Sequence, residues 1–255
     1  MWLPPSQPKP PPPLSCYCDT WDNSTHENLD DQASTMTPEL RKEASELQLH
    51  KRGIRINVGL HVIEADEEVQ LRSAQEVEKR LIGLWAVSYG MQLATDHQQI
   101  IQYLDDHGLL NCLSEQERQF LYENKDASPS LRFRRHAFDF LAWCAGLVPK
   151  IDLGHKACDP SLALACFPAE ITSTSAAPTL SDKIKLRRKD SIMDWSDLLY
   201  RLHWAVRHAV LNHKPSPGNI DGEMVREWHQ AVNWMCCYEE ENDWDKVSTE
   251  TTAGG

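Results

Sequence analysis

Apolar residues recur three and four positions apart through most of the chain after residue 36, which is the spacing of one face of an α-helix. Several of these stretches begin with N-terminal helix signals. Thr37-Pro38-Glu39 combines an N-cap residue, a proline at the first helical position and an acidic residue in the first turn. Ser73 and Glu76 have the spacing of a capping box. We therefore predict about seven helices, the longest of them over 73–94, 190–213 and 221–238.

One segment departs from this helical spacing. Between Ile54 and Val62 apolar residues alternate with other residues, a period of two that is typical of extended chain. The sequence offers no partner strand, so we expect this stretch to lie across the helices. The pattern as a whole predicts an all-α fold, a single domain in an irregular bundle with one short extended segment.

The two ends of the chain lack apolar periodicity. Eight of the 15 prolines lie before residue 39, some of them at the PxxP spacing that SH3-type grooves recognise. We predict a disordered proline-rich tail at 1–36, a single helical domain at 37–251 and a disordered C-terminus at 252–255. Whether the tail is recognised by a partner stays open.

The composition of the chain argues against some classes of function. The 255 residues include 26 basic and 38 acidic residues, for a net charge of −12, and most of the excess acid lies in 1–38 and 239–255. An acidic chain is a poor candidate for nucleic-acid or anionic-membrane binding, and we predict neither. Without a signal-peptide pattern or an apolar run of about 20 residues, the sequence predicts an intracellular, cytoplasmic protein.

The eight cysteines include no CxxC pair and are expected to be reduced thiols, with Cys144 in the helical core. Lys183 to Lys189 holds five cations in seven residues, which fits a nuclear-import signal or an anion patch, but more often marks a solvated approach to a helix. No phosphate-binding loop or metalloprotease motif is present. We predict no metal and no cofactor.

The two C-terminal helices carry the residue types that could form a site. Helix 190–213 has apolar residues on two opposite sides, so we expect it to be central, with its interleaved charges paired. Asp197 and Arg201 have the i, i+4 spacing for such a pair. A polar stripe follows one edge of helix 221–238. The candidate pocket residues are Asp197, Tyr200, Arg201, His203, Trp204, Arg226, His229 and Asn233.

The same helices resemble a known family. Residues 197–205 follow the D-L-x-Y-R-x-H-W-A signature of domain-of-unknown-function family 4272, and 227–234 followed by 244–251 resemble its next motifs. Further matches are Leu71-Arg72-Ser73, Arg80, Arg134, Trp143 to Gly146, Cys158-Asp159, and Leu186-Arg187 with Ile192. The resemblance covers about residues 38–251, with departures at Trp228, where the family has Arg, and His136, where it has Glu. It implies one helical unit and no established activity.

Three interpretations of the polar stripe remain. In the first, which we favour, the protein is a non-catalytic module that binds a partner protein or a small polar or anionic ligand through its Trp/Arg/His-rich helices. In the second it is an enzyme in which Arg201 or Arg226 holds an anion and His203 or His229 acts as general acid/base. In the third, the same residues only fix helix packing.

Overall fold

The computed structural model describes residues 36–123, 131–154 and 158–251, so the predicted tails at 1–36 and 252–255 lie outside the described residues, apart from Met36. Within these ranges the chain forms eight helices and no strand, which confirms the all-α prediction. The helices are α1 Pro38–Lys51, α2 Ala74–Trp85, α3 His97–Asp106, α4 Glu115–Glu123, α5 Arg134–Cys144, α6 Ser161–Leu164, α7 Lys189–Leu211 and α8 Gly222–Met235.

Short helical turns link these elements. Helix α2 continues without a break into a π-helical segment, Ala86–Gly90, and a last turn, Met91–Leu93. The described 3₁₀ turns are Leu110–Cys112, Leu131–Phe133, Pro217–Asn219, Tyr238–Glu240 and Trp244–Lys246.

Helices α1 and α2 begin at the side-chain caps that the sequence predicts. Thr37 Oγ1 accepts a hydrogen bond from the Leu40 amide at 3.3 Å. At α2, Ser73 Oγ accepts from the Glu76 amide at 3.3 Å, and Glu76 Oε2 accepts from the Ser73 amide at 2.9 Å, so the capping box is complete. A cap of this kind stabilises a helix by about 1 kcal/mol, and it fixes the entry of the chain into the core.

The core forms around α5, α7 and α8. Helix α7 packs against α1 on one side and α8 on the other, while α5 packs against α2 and α8. Phe140, Trp143, Trp195 and Trp228 meet at the centre with ring centroids 5.6–6.2 Å apart. The expectation of a central α7 is confirmed, although its last turn projects from the core and leaves Val210 exposed.

The alternating segment 54–62 is non-helical, as predicted, but it is not one extended run. Ile54 and Leu60 are buried, whereas Val58 and Val62 are exposed. A turn in which the Leu60 amide donates to the Asn57 carbonyl at 3.1 Å interrupts the alternation. Ile54 and Leu60 anchor the segment, and Ile56 packs partly buried against the core.

Residues 236–251, here called the C-terminal strap, fold back over the helices instead of leaving as an acidic tail. Trp244 is buried beneath the guanidinium groups of Arg80 and Arg134, 4.9 and 5.6 Å from its ring centre. Gln230 Nε2 donates to the Trp244 carbonyl at 2.9 Å. Asp245 accepts from the Ser114 hydroxyl at 2.9 Å. The strap therefore ties α2, α4, α5 and α8 together.

Candidate functional site

The predicted Asp197–Arg201 pair forms, and it is sealed. Two guanidinium nitrogens of Arg201 donate to the two Asp197 oxygens at 2.8 and 2.7 Å, and both side chains are at most 2% exposed. Arg201 also donates to the His61 carbonyl at 2.9 Å and lies 3.5 Å from Glu46 of α1. The pair joins α7 to α1 and to the segment after it, so this guanidinium group is already committed to protein acceptors.

His203 of α7 and His229 of α8 meet in the interior with their Nδ1 atoms 2.9 Å apart. Such a contact needs one nitrogen to donate and the other to accept. Burial, followed by the charges of Arg207 and Arg226, lowers the pKa of His203 to about 4. Burial also lowers the pKa of His229 well below its ordinary value, with His203 adding to the effect. At neutral pH both rings are therefore uncharged.

Tyr200, His229 and Asn233 line one open cavity of about 450 Å³, here called the Tyr200 cavity. Its other walls come from residues 61–64 and from the strap. Asn233 Nδ2 lies 3.3 Å from His229 Nε2 and donates to the Ser248 carbonyl at 2.8 Å. Burial raises the pKa of Tyr200. The wall holds neutral hydrogen-bonding groups from both C-terminal helices.

The charged residues on that wall are acidic. Glu64, Glu239 and Glu250 line the Tyr200 cavity, and none of its described lining residues is Lys or Arg. Arg207 lies behind the rim, 3.2 Å from Glu250. The electrostatics of this wall favour a neutral or cationic group over an anion.

The remaining predicted residues lie elsewhere. Trp204 stacks on His208 with ring centres 4.9 Å apart, and Arg226 pairs with Glu223 and Glu227 at 2.9 and 3.0 Å. Of the eight candidates, three line the Tyr200 cavity, His203 lies behind His229, and two form the sealed pair. The two arginines assigned as anion holders both face carboxylates.

A larger cavity, of about 990 Å³, was missed from the sequence. It lies between the π-helical end of α2, α5, residues 158–160 and the start of α8, and we call it the Asp139 cavity. Tyr89 donates to Asp139 Oδ1 at 3.0 Å, and Asp139 is 8% exposed. Burial raises the pKa of Asp139 to about 7. The available signal was a lone acid between Phe138 and Phe140, on the apolar face of α5.

A family model matches residues 41–247, and its description is "Domain of unknown function (DUF4272)". The chain belongs to the DUF4272 family. The resemblance seen in its C-terminal motifs is thereby confirmed. The residues named on the wall of the Asp139 cavity fall inside the matched region, while Ser248 and Glu250 of the Tyr200 cavity follow it. No curated protein and no solved structure matches the chain.

In the described part of this DUF4272 protein, no three His, Cys, Asp or Glu side chains are grouped so that they could hold a metal ion. None of its described helices combines the length and apolarity needed to span a bilayer.

The basic run at 183–189 is partly structural. Arg187 Nε donates to the Trp143 carbonyl at 2.8 Å, and Lys189 Nζ donates to the carbonyls of Asp66 and Val69 at 2.8 Å each. These two cations hold the entry to α7 against neighbouring backbone. They are not free to form an anion patch without breaking those contacts.

Proposed function

We propose that this DUF4272 protein is a non-catalytic helical module that binds a small polar ligand, or a polar side chain of a partner protein, in the Tyr200 cavity. One observation carries the proposal: polar side chains of α7 and α8 converge on a single open cavity. A cavity of this size, lined by an aromatic hydroxyl, an imidazole and an amide, suits a ligand recognised by hydrogen bonds.

The charges on the wall of the Tyr200 cavity limit the class of ligand that it can bind. Glu64, Glu239 and Glu250 surround the neutral groups, and burial keeps the His229 ring uncharged at neutral pH. An anion would meet carboxylates with no lining cation to offset them. We therefore propose a neutral or cationic ligand and set aside the anionic alternative that the sequence left open.

The test is a binding screen with a defined probe set, followed by amide chemical shifts in NMR spectra. The probes are xylitol and ethanolamine, with succinate as the anionic reference. We expect a neutral or cationic probe to shift amides around Tyr200, His229 and Asn233, and succinate to leave them unchanged. Absence of any shift at these residues, or preferential binding of succinate, would contradict the proposal.

A pair of variants on the same helix separates the cavity from general effects on folding. Tyr200→Leu removes a hydroxyl from the wall, whereas Trp204→Leu changes a large aromatic residue one turn later, outside the cavity. We expect Tyr200→Leu to weaken binding at least tenfold and Trp204→Leu to keep it, while circular dichroism checks that both remain helical. Equal loss in both variants would assign the effect to α7 as a whole.

A further inference from the structure

Asp139 differs from every other buried carboxylate in the described residues. Glu117 pairs with Arg80, Asp197 with Arg201, and Glu227 with both Arg134 and Arg226. Asp139 has no Lys, Arg or His within ion-pair distance among the described residues, and the hydrogen bond we find to its carboxyl comes from the neutral Tyr89 hydroxyl. A buried carboxylate without a counter-charge is strongly unfavourable.

This carboxyl lies on the wall of a large cavity and is not enclosed in the core. The Asp139 cavity measures about 990 Å³, and two further carboxylates, Asp159 and Asp221, also line it. Arg135 is the one cation on the described part of that wall, and its side chain is exposed. The three acids give the cavity an excess of negative charge.

The histidine on the same wall does not supply the missing charge. His136 Nε2 is buried without a hydrogen-bond partner and lies 3.8 Å from Asp221 Oδ2. Burial, followed by the charge of Arg135, lowers the pKa of His136. The imidazole is therefore neutral at neutral pH and supplies no counter-charge to Asp139.

The position of Tyr89 indicates that the carboxyl group of Asp139 is held in place for binding. It lies in the π-helical segment Ala86–Gly90, and its ring makes an edge contact with Phe138, with centroids 5.3 Å apart. Single π turns within α-helices are frequently found at functional sites. The hydroxyl engages Oδ1 of Asp139 and leaves the second carboxyl oxygen without a described partner.

We propose that the Asp139 cavity binds a small organic cation, an ammonium or guanidinium group, with Asp139 as its counter-charge and Tyr89 orienting the carboxyl. The cation takes the role that an arginine plays at each of the other buried carboxylates. This site is separate from the Tyr200 cavity and does not depend on it.

Affinity for the cation should rise with pH. Burial raises the pKa of Asp139 to about 7, so the carboxyl is partly protonated near neutral pH, and the cation binds its ionised form. Among the described residues, the other ionisable groups on this wall are Tyr89 from the π-helical segment, Arg135 and His136 from α5, Cys158 and Asp159 from the loop, and Asp221 at the start of α8. Burial raises the pKa of Tyr89 and Cys158, so neither ionises in this range.

The experiment is isothermal titration of the full chain with n-butylammonium at pH 8 and pH 6, with butyrate and 1-butanol as matched anionic and neutral probes. We expect n-butylammonium to bind, at least threefold more tightly at pH 8 than at pH 6, and the other two not to bind. Absence of n-butylammonium binding at 10 mM, or equal binding of 1-butanol, would overturn the proposal.

Two variants locate the binding. Asp139→Asn should weaken n-butylammonium binding at least tenfold at pH 8. Glu64→Gln, which removes a carboxylate from the Tyr200 cavity, should leave it unchanged. Loss of binding in Glu64→Gln but not in Asp139→Asn would place the cation in the Tyr200 cavity, which refutes this inference and leaves the proposed function standing.

Stability provides a check that does not depend on the probe. Asp139→Asn removes an uncompensated charge, so the variant should be at least as stable at pH 8 as the unaltered chain in urea unfolding. If Arg135, four residues earlier on α5, folds inward and pairs with Asp139 in solution, both Asp139→Asn and Arg135→Ala will lose stability. That result would mean that the carboxyl is satisfied internally and would overturn the proposal.

Discussion

The His203–His229 contact makes folding sensitive to mild acid. Because burial lowers the pKa of both rings in the folded protein, the unfolded chain binds more protons below about pH 6.5. Stability is therefore fully present above that pH and is lost as the pH falls towards the folded-state pKa. For His203, with a folded-state pKa of about 4, linkage gives a loss of about 2 kcal/mol between pH 7.5 and pH 5.

The perturbation is His203→Gln, which keeps a hydrogen-bonding side chain beside His229 and removes one titrating ring. Urea unfolding followed by tryptophan fluorescence gives the free energy of unfolding at pH 7.5, 6 and 5. Between the two extremes the variant should lose about 2 kcal/mol less than the unaltered chain. It will also show a higher pKa for His229, since one of the groups that depress that pKa is an adjacent ring.

His50→Gln is the matched control, because His50 is exposed on the last turn of α1. This variant should follow the unaltered chain at every pH. Equal losses of free energy in His203→Gln and the unaltered chain would refute the assignment of acid sensitivity to the buried pair.

Two further changes test the packing. Arg80→Leu leaves Glu117 buried without its counter-charge, so the free energy of unfolding in urea should fall by about 3–5 kcal/mol. A fall of less than about 1 kcal/mol would mean that the carboxylate reaches water. Gly146→Ala puts a Cβ at a φ of +74° in steric conflict with the Lys185 carbonyl oxygen, and should lower stability by more than about 1 kcal/mol. Gly53→Ala, at a φ of +70° with nothing within 4 Å, should lose less, and equal losses would show that backbone strain alone decides both.

The sequence predicts features that depend on neighbours along the chain. Ser73 and Glu76 of the capping box are three positions apart, and Asp197 and Arg201 are four apart, about one helical turn, so both are visible as spacings. The all-α fold follows from the same local signals. The turn at Asn57 was not predicted, because the burial of Ile54 depends on residues far away in sequence, such as those around Gly218.

Within the candidate site, the sequence predicts only contacts between residues of the same helix. His203 and His229 are 26 residues apart, and Tyr89 and Asp139 are 50 apart, so neither contact is encoded in a local spacing. The sequence identified both histidines as candidates. It did not predict that they face each other or that burial keeps both rings uncharged. It placed Arg201 and Arg226 in a ligand pocket, whereas packing turns each towards a carboxylate.

The C-terminal strap has a consequence for how the protein is made. Trp244 packs beneath the guanidinium groups of Arg80 and Arg134, residues that leave the ribosome more than a hundred positions earlier. During synthesis, therefore, the helices can collapse, but the guanidinium pair above the core stays uncovered until the last few residues of the domain emerge. The fold is therefore completed only after the strap has emerged, and the nascent chain is most exposed to chaperones and proteases just before that point.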